Sequence, residues 1–249
     1  MLYVADNRYA PYGPRPATEI LDRSRRITDW LLDQGAKLIV VACNTATSVA
    51  IDTLRLEHPD VPFVGLEPAV KPASRAERVG VMATRATLSS TRYQKLREEY
   101  FGNRPLLEDD CAGLVPLIER EGTGGTGLRR RLEEILEPMR AARITTLVLG
   151  CTHYPLVRED IAAVLGPEVE LIDPAPAAAR QVRRLLEVGG IDNPAASSEP
   201  RTFTSTTISN HARGHDFFAT ATALPLQRTL LTLPELNHRR RFVVPHLTV

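Results

Sequence analysis

The chain has 249 residues, of which 43% are hydrophobic and 24% are charged, and its net charge at pH 7 is +1. This composition is ordinary for a soluble globular protein, and the weak net charge favours neither a nucleic-acid partner nor a membrane surface. No apolar stretch approaches the roughly 20 residues that span a bilayer, and the amino terminus carries no signal pattern. We therefore expect a cytoplasmic protein that binds neither nucleic acid nor membrane.

Short apolar runs alternate with amphipathic segments along most of the chain. In chain order, the predicted elements are a helix around 20–31 that Gly35 ends, strands at 38–42, 61–65 and 79–83, a helix at 87–101, a strand at 106–110, a helix at 127–142, a strand at 145–149, a helix from about 155, and a strand at 169–172. This alternation predicts an α/β fold with a mainly parallel sheet and helices on both faces. A surface loop at 189–201 and a poorly ordered tail after Leu224 follow.

Two of the predicted strands run directly into a cysteine followed by small polar residues. Cys43 follows the strand at 38–42, and Cys151 follows the strand near 145–149. Ligands of such sheets bind beyond the carboxyl ends of the strands, which is where both thiols fall. Two thiols that face one pocket can take a proton from one side of a carbon and return it on the other. The repeat therefore indicates a racemase that needs no cofactor.

The residues after each cysteine strengthen this interpretation. Asn44 and Thr45 lie where the strand turns into a helix, and the N–H groups of a helix N-terminus suit a carboxylate. The same dipole is expected to lower the pKa of the Cys43 thiol. His153 is either a polar cap of the next helix or a proton partner of Cys151. Each thiol alone is typical of a buried core cysteine, but the matched pair favours chemistry.

The remaining candidate residues have simpler interpretations. Periodicity alone makes Glu119 a solvent-facing helix acid, and Cys111 is interpreted as structural. Three cysteines are an odd number and few for this length, which indicates reduced thiols. His211 and His215 have helical spacing but no third ligand nearby, so we interpret them as surface histidines and predict no metal site.

A series of segments, in the expected order, resembles the glutamate racemases of the aspartate/glutamate racemase superfamily. The three most characteristic segments are Asp6–Gly13, Ala42–Ala46 and Gly150–Pro155. Segments at 65–68, 81–89 and 115–119 also fall in register, so the resemblance extends to about Phe218. The segment Gly150–Pro155 is the most discriminating, because related aspartate racemases usually carry an acid at the position of His153.

The resemblance implies a function and a set of roles. Cys43 and Cys151 would be the two acid/base catalysts, His153 would assist Cys151, and Glu119 would be an acid near that histidine. Positions that hold the amino acid in the family are matched by Tyr12, Gly13, Asn44, Thr45, Thr152 and His153. The family interconverts L- and D-glutamate for peptidoglycan synthesis, and hence for cell-wall biogenesis and cell shape. It uses neither pyridoxal phosphate nor a metal. Oligomeric state is left open, with a homodimer as one option.

With this resemblance we expect two similar open-sheet subdomains related by a pseudo-twofold axis, with the active site between them. The first would comprise 1–68 and 174–249, and the second 69–173. Family members also carry an Asp-Ser-Gly-x-Gly-Gly turn some thirty residues before the Pro-Tyr-Gly segment, and this sequence opens after that point. Either the true start of the protein lies upstream of Met1, or the chain is a shortened family member with impaired activity. In the second case we expect the defect on the Cys43 side of the site.

Three further alternatives stay open at this stage. The chain could keep the racemase fold without useful activity, or it could act on aspartate or a hydantoin. The third is a Cys–His acyl-transfer enzyme with Cys151 as nucleophile. This last alternative leaves Cys43 and its matched turn unexplained.

Overall fold

The computed structural model describes residues 2–190 and the backbone of two further strands, at 208–210 and 215–219. The tail predicted after Leu224, most of the loop predicted at 189–201, and His211 lie outside the described residues. His215 is the first residue of a strand, and the interpretation of His211 and His215 as surface histidines stays a prediction.

The described residues alternate strands and helices as predicted. The strands are β1 (Leu2–Ala5), β2 (Ile39–Val41), β3 (Phe63–Gly65), β4 (Val79–Ala83), β5 (Leu107–Asp109), β6 (Thr146–Gly150), β7 (Glu170–Ile172), β8 (Ile208–Asn210) and β9 (His215–Ala219). The helices are α1 (Ala17–Asp33), α2 (Asn44–Glu57), α3 (Val70–Ala73), α4 (Arg85–Leu88), α5 (Thr91–Phe101), α6 (Leu114–Glu121), α7 (Thr126–Ala141), α8 (Arg158–Leu165) and α9 (Ala175–Gly189), with a 3-10 turn at Tyr154–Val157. The α/β class is confirmed.

The chain divides into two compact units. The first comprises Met1–Pro11, Arg25–Lys37 and Leu186–Val249, and its strands form a sheet in the order β1-β9-β8. The second comprises Tyr12–Ser24 and Leu38–Leu185. It holds a parallel pair, β2-β3, and a parallel four-stranded sheet in the order β5-β4-β6-β7. Every residue predicted to act in the site lies in this second unit, while the subdomain boundaries and pseudo-twofold relation expected from the sequence stay predictions.

The central strands β4 and β6 are buried on both faces, and successive residues of each strand point to opposite sides of the sheet. Val81 in β4 and Val148 in β6 belong to a core with α3 and α5. Met82 and Leu149, one position further along each strand, belong to a second core with α6, α7 and α8. Strands covered on both faces read as continuous apolar runs, which explains why the sequence pattern located them well.

Two helix predictions need correction. The helix predicted at 87–101 is two helices, α4 and α5, because the Ser90 hydroxyl accepts the N–H of Tyr93 at 3.1 Å and starts a new helix. The helix predicted from about 155 begins as the 3-10 turn at Tyr154–Val157, and α8 starts only at Arg158. The strand predicted at 79–83 has those bounds, and the helix predicted at 127–142 is shifted by one residue.

No helix that the structure describes combines the length and the apolar character needed to cross a lipid bilayer.

Candidate active site

Cys43 occupies the turn between a strand and a helix, as the sequence predicts. One residue, Ala42, separates it from the end of β2. Its backbone is extended, and it is the N-cap of α2. Its sulfur accepts the N–H of Ala46 at 3.5 Å, and its carbonyl accepts the N–H of Thr47 at 2.8 Å. A thiol therefore stands where most helices place a hydroxyl or carboxylate cap.

The acidity of this thiol differs from the expectation. Desolvation by burial raises the pKa of Cys43 from 9.0 to about 11. Hydrogen bonds from Ala46 and Thr45 act in the opposite direction, and the neighbouring Cys151 thiol raises the pKa further. The predicted lowering by the helix N-terminus was wrong, because the loss of water around the sulfur outweighs the N–H groups that face it. At neutral pH, Cys43 is a protonated thiol.

Cys151 follows β6 without an intervening residue and is 8% exposed. Its carbonyl accepts the N–H of Tyr154 at 3.2 Å, which fixes the turn that comes next. The residue before it, Gly150, has no space for a side chain. A Cβ there would lie 2.8 Å from the Met82 carbonyl oxygen and 2.8 Å from the Ala83 Cβ. The glycine thus allows β6 to lie close to β4 at the point where the thiol emerges.

His153 connects Cys151 to Glu119. Its Nδ1 lies 3.9 Å from the Cys151 sulfur, and its Nε2 lies 3.0 Å from Oε1 of Glu119. His153 occupies the N-cap position of the 3-10 turn at Tyr154–Val157, but its side chain makes no capping hydrogen bond there. Glu119 lies on α6 and is one-third exposed, but it faces the histidine and not only solvent.

This arrangement changes the charge of the imidazole. Burial would lower the pKa of His153, but the hydrogen bonds to Cys151 and Glu119 outweigh it and raise the pKa from 6.5 to about 10. At neutral pH the ring is therefore protonated, and both of its nitrogens are donors. One N–H can face the sulfur while the other is held by the carboxylate. A protonated imidazole next to a thiol is suited to proton transfer.

The first turn of α2 carries two buried polar residues. Asn44 is 1% exposed, and among the described residues neither its Oδ1 nor its Nδ2 has a hydrogen-bond partner. An unsatisfied buried amide costs free energy, so a polar ligand that pairs with it would be stabilised there. Thr45 shares a hydrogen bond of 2.8 Å with the Thr84 hydroxyl and one of 3.3 Å with the Thr87 hydroxyl.

Thr84 and Thr87 are site neighbours to which the sequence analysis gave no role. Thr84 is the N-cap of α4, and its hydroxyl lies 3.1 Å from that of Thr87. Thr84 could have been recognised from the sequence, because it is a polar residue at the end of an apolar strand, as Cys43 is a thiol at the end of one. Gly13 reaches the same cluster, since a Cβ on it would lie 3.1 Å from the Thr84 Cβ. Gly13, Thr45 and Thr84 are therefore close in space.

The remaining candidates lie in the same unit. Tyr12 and Thr152 are half-buried beside Gly13 and Cys151 in the chain. Cys111 is buried in the core on one face of the sheet, and its N–H donates to Asp109 Oδ1 at 2.7 Å. Across 2–190 and the two strands beyond, no group of three His, Cys, Asp and Glu residues could hold a metal ion. The roles of the candidate residues stay predictions.

Comparison with known proteins identifies the family. The profile described as Asp/Glu/Hydantoin racemase matches residues 2–182, which is most of the chain. The chain belongs to the Asp/Glu/hydantoin racemase family. The resemblance inferred from the sequence motifs is thereby confirmed.

Members and solved structures of the racemase family resemble the chain over most of its length. A glutamate racemase of Pseudomonas aeruginosa is 43% identical over 208 residues, which span 82% of this chain and 78% of that protein. The crystal structure of Francisella tularensis glutamate racemase in complex with D-glutamate is 26% identical with a TM-score of 0.79, and the match covers 99% of this chain and 87% of that one. Escherichia coli glutamate racemase, in complex with L-glutamate and the activator UDP-MurNAc-ala, is 31% identical with a TM-score of 0.74 over 94% of this chain and 84% of that one.

Proposed function

We propose that the chain interconverts L- and D-glutamate, with Cys43 and Cys151 as the two acid/base groups. The choice of glutamate is supported by the relatives, since the Pseudomonas aeruginosa protein is named a glutamate racemase. It is also supported by the Francisella tularensis and Escherichia coli structures, which contain D-glutamate and L-glutamate. The aspartate, hydantoin and acyl-transfer alternatives have no comparable support.

The observation that carries the proposal is the line from the Cys151 sulfur through His153 to Glu119. The distances are 3.9 Å from sulfur to Nδ1 and 3.0 Å from Nε2 to the carboxylate. In this line, Glu119 orients the imidazole, and the imidazole donates a proton to Cys151 or accepts one from it. A base held in place by a third group is the usual arrangement around a working nucleophile or base. A cysteine with only a structural function has no need of it.

Cys43 supplies the complementary group in this scheme. With a pKa of about 11 it is protonated at neutral pH, so its S–H bond can deliver a proton to a carbanion. In one direction, a Cys151 thiolate takes the α-proton and Cys43 protonates the opposite face of the carbon. The turnover leaves Cys151 as a thiol and Cys43 as a thiolate, which is the pair that the reverse direction requires. Protons and charges balance without a cofactor.

Asn44 provides the strongest support for an amino-acid ligand next to Cys43. Its amide is both a donor and an acceptor, and both atoms are buried with no partner in the part of the chain that the structure describes. A carboxylate could accept from Nδ2, and an ammonium group could donate to Oδ1. In our proposal Tyr12, Gly13, Thr45, Thr152 and His153 complete the binding site. The Thr45–Thr84–Thr87 hydroxyl cluster holds the N-terminus of α2 in place behind it.

The wider role follows from the product. We propose that D-glutamate made by this protein is used in peptidoglycan synthesis, and thus in cell-wall biogenesis and the maintenance of cell shape. The three described cysteines are free, and two catalytic thiols need to stay reduced, which supports a cytoplasmic location. A homodimer, independence of metal and pyridoxal phosphate, and the absence of nucleic-acid and membrane partners belong to the same proposal.

Racemisation measured by chiral chromatography tests the proposal. L-glutamate, L-aspartate and a 5-substituted hydantoin should be offered to the wild type and to three variants. We expect glutamate to be preferred, and Cys43→Ala and Cys151→Ala each to abolish its racemisation. Cys111→Ala is the matched control, because it also removes a buried thiol but should keep the activity. Preference for aspartate, or wild-type rates after loss of Cys43 or Cys151, would overturn the proposal.

A further inference from the structure

The connection between α6 and α7 is held by a side chain from the preceding helix. Gly125 is the N-cap of α7 and has no side chain that could accept the free N–H groups of the first turn. Glu121, the last residue of α6, does so instead, since its Oε2 accepts the N–H of Leu128 at 2.9 Å. Its Oε1 accepts from the Arg120 guanidinium at 2.9 Å. The carboxylate therefore joins the end of one helix to the start of the next.

Two glycines of α7 are needed for this contact. A Cβ on Gly125 would lie 2.5 Å from Glu121 Oε2, and a Cβ on Gly127 would lie 2.6 Å from Glu121 Oε1. Real Cβ atoms do not approach other atoms so closely, so any side chain at these positions would displace the carboxylate. The hydrogen bond from Leu128 and the Arg120 guanidinium hold the pKa of Glu121 below its ordinary value, so the group is charged at neutral pH.

The same loop has a second carboxylate anchor. Asp160 on α8 accepts the N–H of Gly124 through Oδ1 at 3.0 Å. The charged groups around the loop are thus Glu121 and Arg120 on α6 and Asp160 on α8. Asp160 contacts the loop at Gly124, Arg120 contacts the Glu121 carboxylate, and Glu121 accepts from Leu128 in the first turn of α7. Glu121 therefore fixes the last turn of α6 to α7, in addition to the packing of Val115 and Ile118 in the core that both helices share.

Glu119 lies two residues before Glu121 on a helix of only eight residues. Successive helix residues are rotated by about 100°, so these two side chains leave α6 in nearly opposite directions. One direction leads to α7, and the other leads to His153, whose Nε2 lies 3.0 Å from Glu119. A shift of α6 toward or away from α7 would therefore change the Glu119–His153 distance directly.

We propose that Glu121 is a positioning residue of the site: by capping α7 it holds α6 where Glu119 can bind His153. The inference rests on the proposed racemase function, in which His153 serves Cys151. Glu121 itself does not touch the reacting groups, and its effect passes through Glu119.

Four variants separate positioning from stability. Glu121→Ala removes the cap, and Glu121→Gln keeps an oxygen that accepts from Leu128 but lacks the charge. Gly127→Ala retains Glu121 and improves helix propensity, but its Cβ pushes the carboxylate away. Glu133→Ala is the matched control, because it removes a half-exposed glutamate of α7 that pairs with Arg129 in the same helix.

The readouts are the NMR titration of the His153 imidazole, the kcat for glutamate, and the thermal unfolding midpoint. In Glu121→Ala and Gly127→Ala we expect the His153 pKa to fall below about 10, because the Glu119 contact is one of the two that raise it, and kcat to fall by about 10- to 100-fold, since a misplacement of about 1 Å can cost about 100-fold. Glu121→Gln should recover most of both values. Glu133→Ala should change neither.

An unchanged His153 titration in Glu121→Ala, together with a lower unfolding midpoint, would overturn the inference and leave a purely structural cap. The titration does not depend on turnover. If the wild type fails to racemise glutamate, the proposed function is refuted. If the His153 pKa still differs between the wild type and Glu121→Ala, the positioning role is supported all the same.

Discussion

His153 Nε2 lies 3.0 Å from Glu119 Oε1, although the two residues are 34 positions apart in the chain. The first belongs to the turn after β6, and the second belongs to α6 on one face of the same sheet. The contact turns an ordinary surface acid into a partner of the imidazole beside Cys151. Together with the contact to Cys151, it raises the pKa of His153 and keeps the ring protonated at neutral pH.

Replacement of Glu119 by glutamine tests this relationship. Glu119→Gln keeps the size of the side chain and removes its charge, so we expect the His153 pKa to fall below 10. We expect kcat for glutamate to fall by about 10-fold, which is less than the roughly 100-fold or more of a direct acid/base group, because Glu119 acts through His153. NMR titration and chiral chromatography measure the two effects. Glu137→Gln, an exposed change on α7, is the control and should alter neither. A variant with wild-type kcat and a shifted His153 pKa would show that the charge of the ring is irrelevant.

Alkaline pH should destabilise the fold through His153. The pKa of His153 is raised from 6.5 to about 10 in the folded chain. The stabilisation is complete below pH 6.5, where both states hold the proton. It decreases as pH rises from 6.5 to 10, because only the unfolded state releases the proton in that window. Thermal unfolding followed by circular dichroism should show a falling midpoint from pH 7 to 9. The slope should be flatter in His153→Gln, and equal slopes would contradict the contact geometry.

Cys43 should react slowly with alkylating reagents at neutral pH. Its pKa of about 11 leaves little thiolate, which is the reactive form. We expect the rate of carboxamidomethylation of Cys43, followed by peptide mass mapping, to rise about tenfold per pH unit from pH 7 to 10, as the thiolate fraction does. A rate that levels off below pH 9 would mean that the helix N-terminus, and not desolvation, dominates at this thiol.

Gly150 and Gly80 offer a matched pair of substitutions in the same sheet. A Cβ on Gly150 meets the backbone oxygen of Met82 at 2.8 Å, and that oxygen cannot yield. A Cβ on Gly80 meets the Met139 sulfur at 2.9 Å and two methyl groups at 3.0 Å, which are ends of side chains. We expect Gly150→Ala to cost about 1–3 kcal/mol of unfolding free energy and to lower kcat by displacing Cys151. Gly80→Ala should cost less and keep kcat. Denaturant unfolding and the racemisation assay compare them, and equal kcat values would contradict the account of Gly150.

The sequence predicted the strands of the buried sheet well and the helix boundaries less well. The apolar runs around Val81 and Val148 are covered on both faces, so their hydrophobicity alone located them. The break at Ser90 depends on one side-chain hydrogen bond, and such a cap competes with a helical pattern that continues past it. The 3-10 turn after Cys151 was missed because Pro155 suits the first turn of an α-helix and of a 3-10 helix equally.

The site was predicted unevenly for physical reasons. Periodicity placed both thiols at strand ends, because that position is a property of the local sequence. The partnership of Glu119 with His153 is a tertiary contact, and only the family resemblance pointed to it. The charge state of Cys43 could not be predicted from the motif, because the motif shows the N–H groups of α2 but not the loss of water around the sulfur. Thr84 and Thr87 were missed because their hydroxyl contacts with Thr45 join distant segments.

The central claim is that two different thiols handle the two faces of the α-carbon, and isotope incorporation tests it most directly. L-glutamate should be incubated with the wild type in D₂O and stopped at low conversion, and the deuterium at the α-carbon of each enantiomer should be measured by mass spectrometry after chiral separation. The account predicts deuterium in the D-glutamate formed and almost none in the recovered L-glutamate, because the thiol that takes the proton is not the one that delivers it. Equal deuterium in both enantiomers at low conversion would mean that one base serves both faces, and would contradict it.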